Sequence, residues 1–262
     1  MRVALDTIRS AARTTIPVLG LSLTLMACNE EVPYSGDYLF TVVDTHQTSC
    51  FDETGDEVAC AGTGQDGELE GNGPWYSDNG DGTVTDEVTG LMWQQGMDAK
   101  RDFYDGEAYC DALVLGGNTD WRIPTIKELY SLIDFSGATG TGDPMSTDVP
   151  ADAVPYIDTD VFDFAYGDTA AGERFIDAQW FSSTVYVGEV MGGQECAFGV
   201  NHADGRIKCY PTSEQPVGGF YFRCVRGNAD YGVNTFVDQG DGTILDEATS
   251  LQWTQADSGT LG

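Results

Sequence analysis

Residues 78–93 read DNGDGTVTDEVTGLMW and contain a clear local structural signal. Asn, Asp and Gly residues bracket two short runs that favour β-structure, one around Val84 and one that ends at Trp93. Such turn residues place the flanking strands side by side and antiparallel. The stretch therefore predicts a meander of three short strands joined by two tight turns.

The same pattern returns near the end of the chain. Residues 238–255 agree with residues 78–95 at 11 of 18 positions, 160 residues further on, and Trp253 corresponds to Trp93. A repeat at this spacing predicts a second structural unit. We expect residues 229–262 to be the start of a truncated second copy, which alone has too few apolar residues to build a core.

Helix signals lie between the two repeats and are followed by strand signals. Residues 107–113 predict a helix with Cys110 facing inward, and Thr125 with Glu128 forms a capping box that opens a second, amphipathic helix over residues 126–133. Later runs predict strands over residues 178–187, 196–201, 206–210 and 219–225. Helices early and strands late indicate an α+β domain with an antiparallel sheet.

The composition limits the partners of the protein. The 262 residues include 43 acidic and 12 basic side chains, for a net charge of −31, and 41% hydrophobic residues, enough to build a core. Binding to nucleic acid depends on clustered Lys and Arg, so this charge argues against nucleic-acid partners. It favours cationic partners or metal ions, or else simply provides a solvated acidic surface.

The first 28 residues predict an export signal. Arg2, Arg9 and Arg13 precede an apolar stretch from Ile16 to Met26, which is too short to span a bilayer. Ala27 and Cys28 follow in the pattern of a bacterial lipobox, so residues 1–28 are predicted to be a lipoprotein signal peptide with Cys28 as the lipidated residue and membrane anchor. An ordinary cleaved signal peptide is the alternative. Residues 29–70 then predict an acidic, glycine-rich tether.

The other six cysteines predict a disulfide framework, because an exported chain with an even number of cysteines is commonly oxidised. Cys50 and Cys60 flank a turn and should close a short loop within the tether. Cys196 and Cys209 flank a hairpin signal at residues 201–205, which places them opposite each other on paired strands. Cys110 and Cys224 remain, and we expect them to pair.

Several segments together resemble the Lcl C-terminal domain family, a domain of unknown function found in bacterial envelope proteins. They are residues 62–68, 78–93, 121–129, 180–184 and 222–227. The resemblance implies a domain over residues 71–228 with a C-type lectin-like fold, in which two helices pack on a twisted antiparallel sheet. It also implies a disulfide between the first helix and the last strand, in agreement with the Cys110–Cys224 pair.

The resemblance does not transfer a ligand. The best-studied adhesin of the family is thought to bind sulfated glycosaminoglycans, and the few basic residues of this chain argue against that partner. The calcium-and-sugar motifs of lectin-like domains are also absent from this sequence. Trp180, Phe181 and Ser182 stand near the position of one of them without its amide and carboxylate ligands.

Three carboxylates of the meander are candidate metal ligands. Asp78, Asp81 and Asp86 can offer oxygen atoms to calcium, which takes six to eight such ligands. The same residues also suit tight turns for backbone reasons alone, and the spacing is not that of a 12-residue calcium loop. Calcium is therefore a possible cofactor of this loop, beside a purely structural interpretation.

Catalysis has little support in the sequence. Ser182 and Ser183 lack a Gly-x-Ser-x-Gly motif, and neither histidine has a nucleophile placed by a motif. Residues 122–125 read RIPT and are similar to the RLPT of the formylglycine-generating enzyme family, but other segments of that family are missing. Trp121 and Arg122 are interpreted as architectural, with Trp121 in the core and Arg122 paired with a buried acid.

The sequence thus predicts a non-enzymatic lipoprotein of the bacterial outer membrane or cell surface. Its lectin-like domain is expected to bind an extracellular glycan or protein, through loops between about residues 136 and 220. The alternatives are a structural envelope protein without glycan binding and, with less support, a formylglycine-generating-type enzyme. The ligand-binding residues themselves are not predicted.

Overall fold

The computed structural model of the protein describes residues 38–190, 192–213, 219–257 and 259. The predicted signal peptide, including Cys28, lies outside the described residues. The helices are α1, Phe103–Ala112, and α2, Ile126–Tyr130. The strands are β1 Cys50–Phe51, β2 Glu57–Val58, β3 Tyr76–Asp78, β4 Thr83–Asp86, β5 Met92–Gln94, β6 Gln179–Val185, β7 Cys196–Asn201, β8 Arg206–Pro211, β9 Val225–Arg226, β10 Phe236–Asp238, β11 Thr243–Asp246 and β12 Gln252–Thr254. No helix in these ranges is both long and apolar enough to cross a membrane.

The domain is α+β with more sheet than helix, as the order of sequence signals predicts. Its strands do not form one continuous sheet. The described strands instead make four separate antiparallel sheets, in the orders β1–β2, β3–β4–β5–β9, β6–β7–β8 and β10–β11–β12. The helix α2 packs on β6 and β7.

The predicted meander is the first three strands of the β3–β4–β5–β9 sheet. Val84 on β4 lies opposite Trp93 on β5, and Trp93 in turn lies opposite Val225 on β9. All three side chains are fully buried. Each of the strands β4, β5 and β9 therefore places one apolar residue in the core, as the alternation of a half-buried sheet requires.

The helix α1 begins four residues earlier than predicted. The carboxylate of Asp102 accepts a hydrogen bond from the amide of Asp105 at 2.8 Å and caps the helix. Gly106, an unfavourable residue inside a helix, lies against the ring of Phe222. A Cβ at this position would stand 2.1 Å from that ring, so a larger side chain would separate α1 from residues 222–227, the closing segment.

The helix α2 begins at the predicted capping box and ends three residues early. Thr125 and Glu128 each accept a hydrogen bond from the other's backbone amide. Beyond Tyr130 the chain continues in i→i+3 turns, and the hydroxyl of Ser131 donates to the carbonyl of Glu128 at 2.7 Å. Leu132 and Ile133 still reach the core from these turns, so the predicted apolar face is kept without the last helical turn.

The segment at residues 219–225 was predicted as one strand, and the structure corrects this. Phe220 forms a bridge with Arg101, Tyr221 forms a parallel bridge with Trp180, and only Val225 and Arg226 belong to a strand. The segment changes partners every few residues because it passes from the sheet of β6 to the sheet of β5. It therefore links the β6–β7–β8 sheet to the β3–β4–β5–β9 sheet, and only its end contributes a strand, β9.

The described part of the predicted tether contacts the domain. Phe40 is buried and packs on Tyr231, with ring centroids 5.0 Å apart. The carbonyl of Thr45 accepts from the amide of Phe135 at 2.9 Å, and the amide of Leu39 donates to the carbonyl of Ala248 at 2.9 Å. Residues 39–45 therefore run between α2 and the second repeat and contact both.

Candidate functional site

The six described cysteines form the three predicted pairs, Cys50–Cys60, Cys110–Cys224 and Cys196–Cys209. The Cys110–Cys224 disulfide joins α1 to the closing segment, with Cα atoms 5.5 Å apart and both residues fully buried. The side chains around it form a second core cluster, separate from the cluster around Trp93. This cluster contains Phe103, Trp121, Ile123, Phe181, Phe220 and Phe222.

The three candidate calcium ligands all act as acceptors within turns. Asp78 accepts from the amide of Gly80, and Asp81 accepts from the amide and the hydroxyl of Thr83. Asp86 lies at the other end of β4, almost fully buried, and accepts from two amides of the next turn, at residues 88 and 89. In the part of the chain that the structure describes, no three His, Cys, Asp or Glu side chains are grouped to hold a metal ion. Calcium at this loop stays a prediction.

The second repeat has the same turn chemistry but a different exposure. Asp238 accepts from Gly240 and Asp241 accepts from Thr243, as their counterparts do in the first repeat. Trp93, however, is fully buried, whereas its counterpart Trp253 is 55% exposed. The turns therefore fold alike in both repeats, while the apolar face of the second repeat stays open.

Trp121 and Arg122, the first residue of the RIPT segment, both make structural contacts. Trp121 is buried and donates from its indole nitrogen to the carbonyl of Leu115 at 3.2 Å. Arg122 makes a bidentate pair with the buried carboxylate of Glu128, at 2.8 and 2.5 Å. This pair fixes the orientation of Glu128, which completes the capping box of α2, in agreement with the architectural interpretation.

One cavity of the protein is an open groove of about 450 Å³, a volume typical of ligand pockets. Residues 40–45, the helix α2 and the second repeat form its walls. Its lining is mainly apolar and includes Phe40, Val42, Ile126, Tyr130, Phe135, Tyr231, Leu251 and Trp253. Tyr130, Leu251 and Trp253 are also partly exposed, so their apolar faces are available to a bound molecule.

The polar groups of the groove are already hydrogen-bonded to the protein. Asp246 accepts from the amide of Thr235, the side-chain amide of Asn234 and the hydroxyl of Thr249. Burial raises the pKa of Asp246, but these hydrogen bonds outweigh it and hold the pKa below its ordinary value. Lys127 donates to the carbonyl of Gly232 at 2.6 Å. A ligand would therefore meet the groove mainly through apolar and aromatic contacts.

The groove was not predicted from the sequence. The region expected to bind, residues 136–220, contributes only Ile207 to its lining. The segment before the meander and the second repeat contribute most of the remainder. One signal could have pointed to it: the repeat places a second tryptophan, Trp253, at the position that corresponds to Trp93.

The nucleophile candidates are engaged in structural contacts. The hydroxyl of Ser182 is buried and donates to the carbonyl of Phe198 at 2.8 Å, and that of Ser183 donates to the carbonyl of Pro124 at 3.2 Å. His202 is fully buried, with Nδ1 3.1 Å from the carbonyl of Tyr156 and its ring edge-on to Trp180. Its Nε2 has no hydrogen-bond partner among the described residues.

His202 gives the fold a specific pH dependence. Burial, and then the charge of Arg223, lower its pKa from 6.5 to about 3, so the folded protein keeps it neutral. The unfolded chain takes up a proton below pH 6.5, which favours unfolding as the pH falls from 6.5 towards 3. We expect the free energy of unfolding to drop by about 2 kcal/mol between pH 7 and pH 5 from this group alone. Urea unfolding at both pH values measures it.

The variant His202→Asn isolates this contribution. Asn keeps a donor near the carbonyl of Tyr156 but does not titrate. Between pH 7 and pH 5 the free energy of unfolding of the variant should therefore fall by about 2 kcal/mol less than that of the wild type. His46→Asn is the control, because His46 is half-exposed beside Asp134. An unchanged pH dependence in His202→Asn would contradict the assignment.

Comparison with known families identifies the domain. The model of the Lcl C-terminal domain matches residues 82–226, more than half of the chain. The chain belongs to the Lcl C-terminal domain family. Comparison with curated proteins and with solved structures gives no match. Membership in the Lcl C-terminal domain family indicates an envelope-associated protein, and the family does not define a function. Residues 40–45 and the second repeat, which form two walls of the groove, lie outside the matched range.

Proposed function

We propose that this protein is a cell-envelope lipoprotein whose Lcl C-terminal domain is a non-enzymatic recognition module with a C-type lectin-like fold. It binds an extracellular glycan or protein at the groove between α2 and the second repeat. The observation that carries the proposal is the groove itself, a cavity of about 450 Å³ with exposed aromatic side chains, whose charged residues Asp44, Lys127 and Asp246 are already hydrogen-bonded to the protein. Aromatic faces of this kind stack on sugar rings and pack against apolar side chains of proteins.

Three further features support the proposal. The Cys110–Cys224 disulfide ties α1 to the closing segment, the arrangement that the lectin-like resemblance implies. The six described cysteines are oxidised in pairs, which suits an exported protein and leaves no free thiol among them for formylglycine-type chemistry. The lipobox pattern around Cys28 supports anchoring at the outer membrane or cell surface.

Trp253→Ala tests the groove. The oxidised protein is screened on a glycan array and against immobilised extracellular proteins, and the affinity of each hit is then measured. Truncating Trp253 removes the largest exposed aromatic face of the groove, so we expect the dissociation constant to rise at least about tenfold. Because the side chain is half-exposed, the fold should keep its thermal stability.

Trp75→Ala is the matched control. Trp75 is 67% exposed and is not part of the groove lining, so its removal should leave the affinity unchanged. Equal losses in the two variants, or full binding by Trp253→Ala, would rule out the groove. Protein hits without any glycan hit would favour a structural envelope protein over a lectin.

A further inference from the structure

A second, smaller cavity lies at the start of β6, away from the groove. Its volume is about 160 Å³, and Gln179 and Phe220 are among the buried residues that line it. Lys100, Glu173, Arg174 and Asp177 contribute the charged part of the lining. The side chains of Arg174 and Asp177 are 37% and 31% exposed, so they form the mouth of the cavity.

The carboxamide of Gln179 is buried without a partner. The residue is 4% exposed, and neither its side-chain oxygen nor its side-chain nitrogen has a hydrogen-bond partner among the described residues. Asn201, opposite it on β7, shows the usual situation: its amide nitrogen donates to the carbonyl of Ile176 and its oxygen accepts from Ala203. Leaving a buried amide without a partner is unfavourable, so a ligand that supplies both a donor and an acceptor to Gln179 would be stabilised by these hydrogen bonds.

The charges around the cavity balance. Lys100 pairs with Glu173 at 2.6 Å, and Arg174 pairs with Asp177 at 2.5 Å. Each cation of the lining thus has an anion of the same lining beside it. A charged ligand would have to compete with these pairs, whereas a neutral one leaves them intact.

The size and the walls of the cavity restrict the ligand further. A cavity of about 150 Å³ accommodates a molecule about the size of benzene, so this one admits a single ring, with any ring substituents directed to its open mouth. Phe220 and Tyr210 form an aromatic wall, with ring centroids 4.8 Å apart, against which the apolar face of a ring can pack. We propose that this cavity binds one neutral sugar ring, whose hydroxyl groups donate to and accept from the carboxamide of Gln179.

Ligand titrations of Gln179→Met test the proposal. The oxidised protein is titrated with neutral hexoses (glucose, galactose, mannose) and with glucuronic acid, using ligand-observed NMR and calorimetry. At least one neutral hexose should bind, and more tightly than the acid. Met keeps the volume of Gln but removes both polar atoms, so sugar binding should weaken about tenfold or more. The melting temperature should be unchanged or higher, because no unpartnered amide is left.

Two controls separate this site from other causes. Gln239→Met makes the same change on the exposed surface of the second repeat and should bind like the wild type. Trp253→Ala should also bind the hexose normally. A negative result for ligand binding at the groove would therefore not affect the test of the smaller cavity. In the wild-type protein the side-chain amide resonances of Gln179 should shift on addition of the sugar, a readout that does not depend on the folding of any variant. The absence of binding by every hexose, equal binding by Gln179→Met, or tighter binding of glucuronic acid would overturn the proposal.

Discussion

Replacing Cys110 and Cys224 together by alanine is expected to lower the free energy of unfolding by about 5 kcal/mol. The two cysteines lie 114 residues apart in the sequence, and in the chain-entropy model a loop of about that length accounts for nearly this value. Both residues are fully buried between α1 and the closing segment, so the alanines also leave a small cavity. Urea unfolding of the oxidised proteins, followed by tryptophan fluorescence, measures the change.

The short Cys50–Cys60 loop provides the matched control. Its cysteines are only 10 residues apart, so removing this disulfide should cost about 3 kcal/mol or less. It closes a hairpin of two-residue strands near the N-terminal segment, so its loss should not affect the packing of α1. Equal destabilisation by the two double variants would show that the Cys110–Cys224 disulfide does not hold the domain together.

Apart from the Cys110–Cys224 pair, which follows once the other four cysteines are paired, the features that the sequence predicts correctly are local ones. The capping box of Thr125 and Glu128 needs only four consecutive residues, and the meander needs only its turn residues and two apolar runs. The Cys196–Cys209 pair follows from a hairpin whose two strands are adjacent in the chain. In each case the interacting groups are close in sequence, so the pattern alone fixes the geometry.

The features that the sequence does not predict depend on distant residues. The start of α1 is an exception, because Asp102 is a common capping residue and could have revealed it. The turn that ends α2, in contrast, depends on tertiary packing. The groove forms only where residues 40–45, α2 and the second repeat pack side by side, and no local sequence pattern predicts this tertiary arrangement. The segment at residues 219–225 has the composition of a strand, yet its hydrogen bonds go to two different sheets.

In the closing segment, residues 222–227, consecutive residues of the family motif each make a different structural contact. Phe222 packs on Gly106 of α1, Cys224 forms the disulfide, and Val225 pairs with Trp93. Arg223 stands between them, fully buried. Its guanidinium donates to the carbonyls of residues 94, 95 and 163, at 2.9, 2.7 and 2.7 Å. One side chain therefore donates to three carbonyl groups from two separate segments.

Arg223→Met is expected to destabilise the protein by about 3–5 kcal/mol. Met fills a similar volume against Phe162 and Trp180, but it leaves the carbonyls of Gln94 and Asp163 without this donor, and each such group costs about 1–3 kcal/mol. The carbonyl of Gln95 keeps a hydrogen bond from the amide of Asp163 at 3.2 Å. Part of this cost is offset, because the buried guanidinium is itself poorly solvated: burial lowers its pKa to about 10, which still leaves it charged at neutral pH. Equilibrium unfolding in urea at pH 7 measures the difference from the wild type.

Arg226→Met separates the role of Arg223 from a general effect of losing an arginine. Arg226 lies three residues further along the same segment and pairs with the exposed carboxylate of Asp120. An exposed ion pair contributes little, so this variant should lose less than about 1 kcal/mol. Arg223→Lys should fall between the two, because one ammonium group cannot match the planar fork that reaches carbonyls on both segments. If Arg223→Met were as stable as Arg226→Met, these carbonyls would have to find other donors, and the closing segment would not depend on its buried charge.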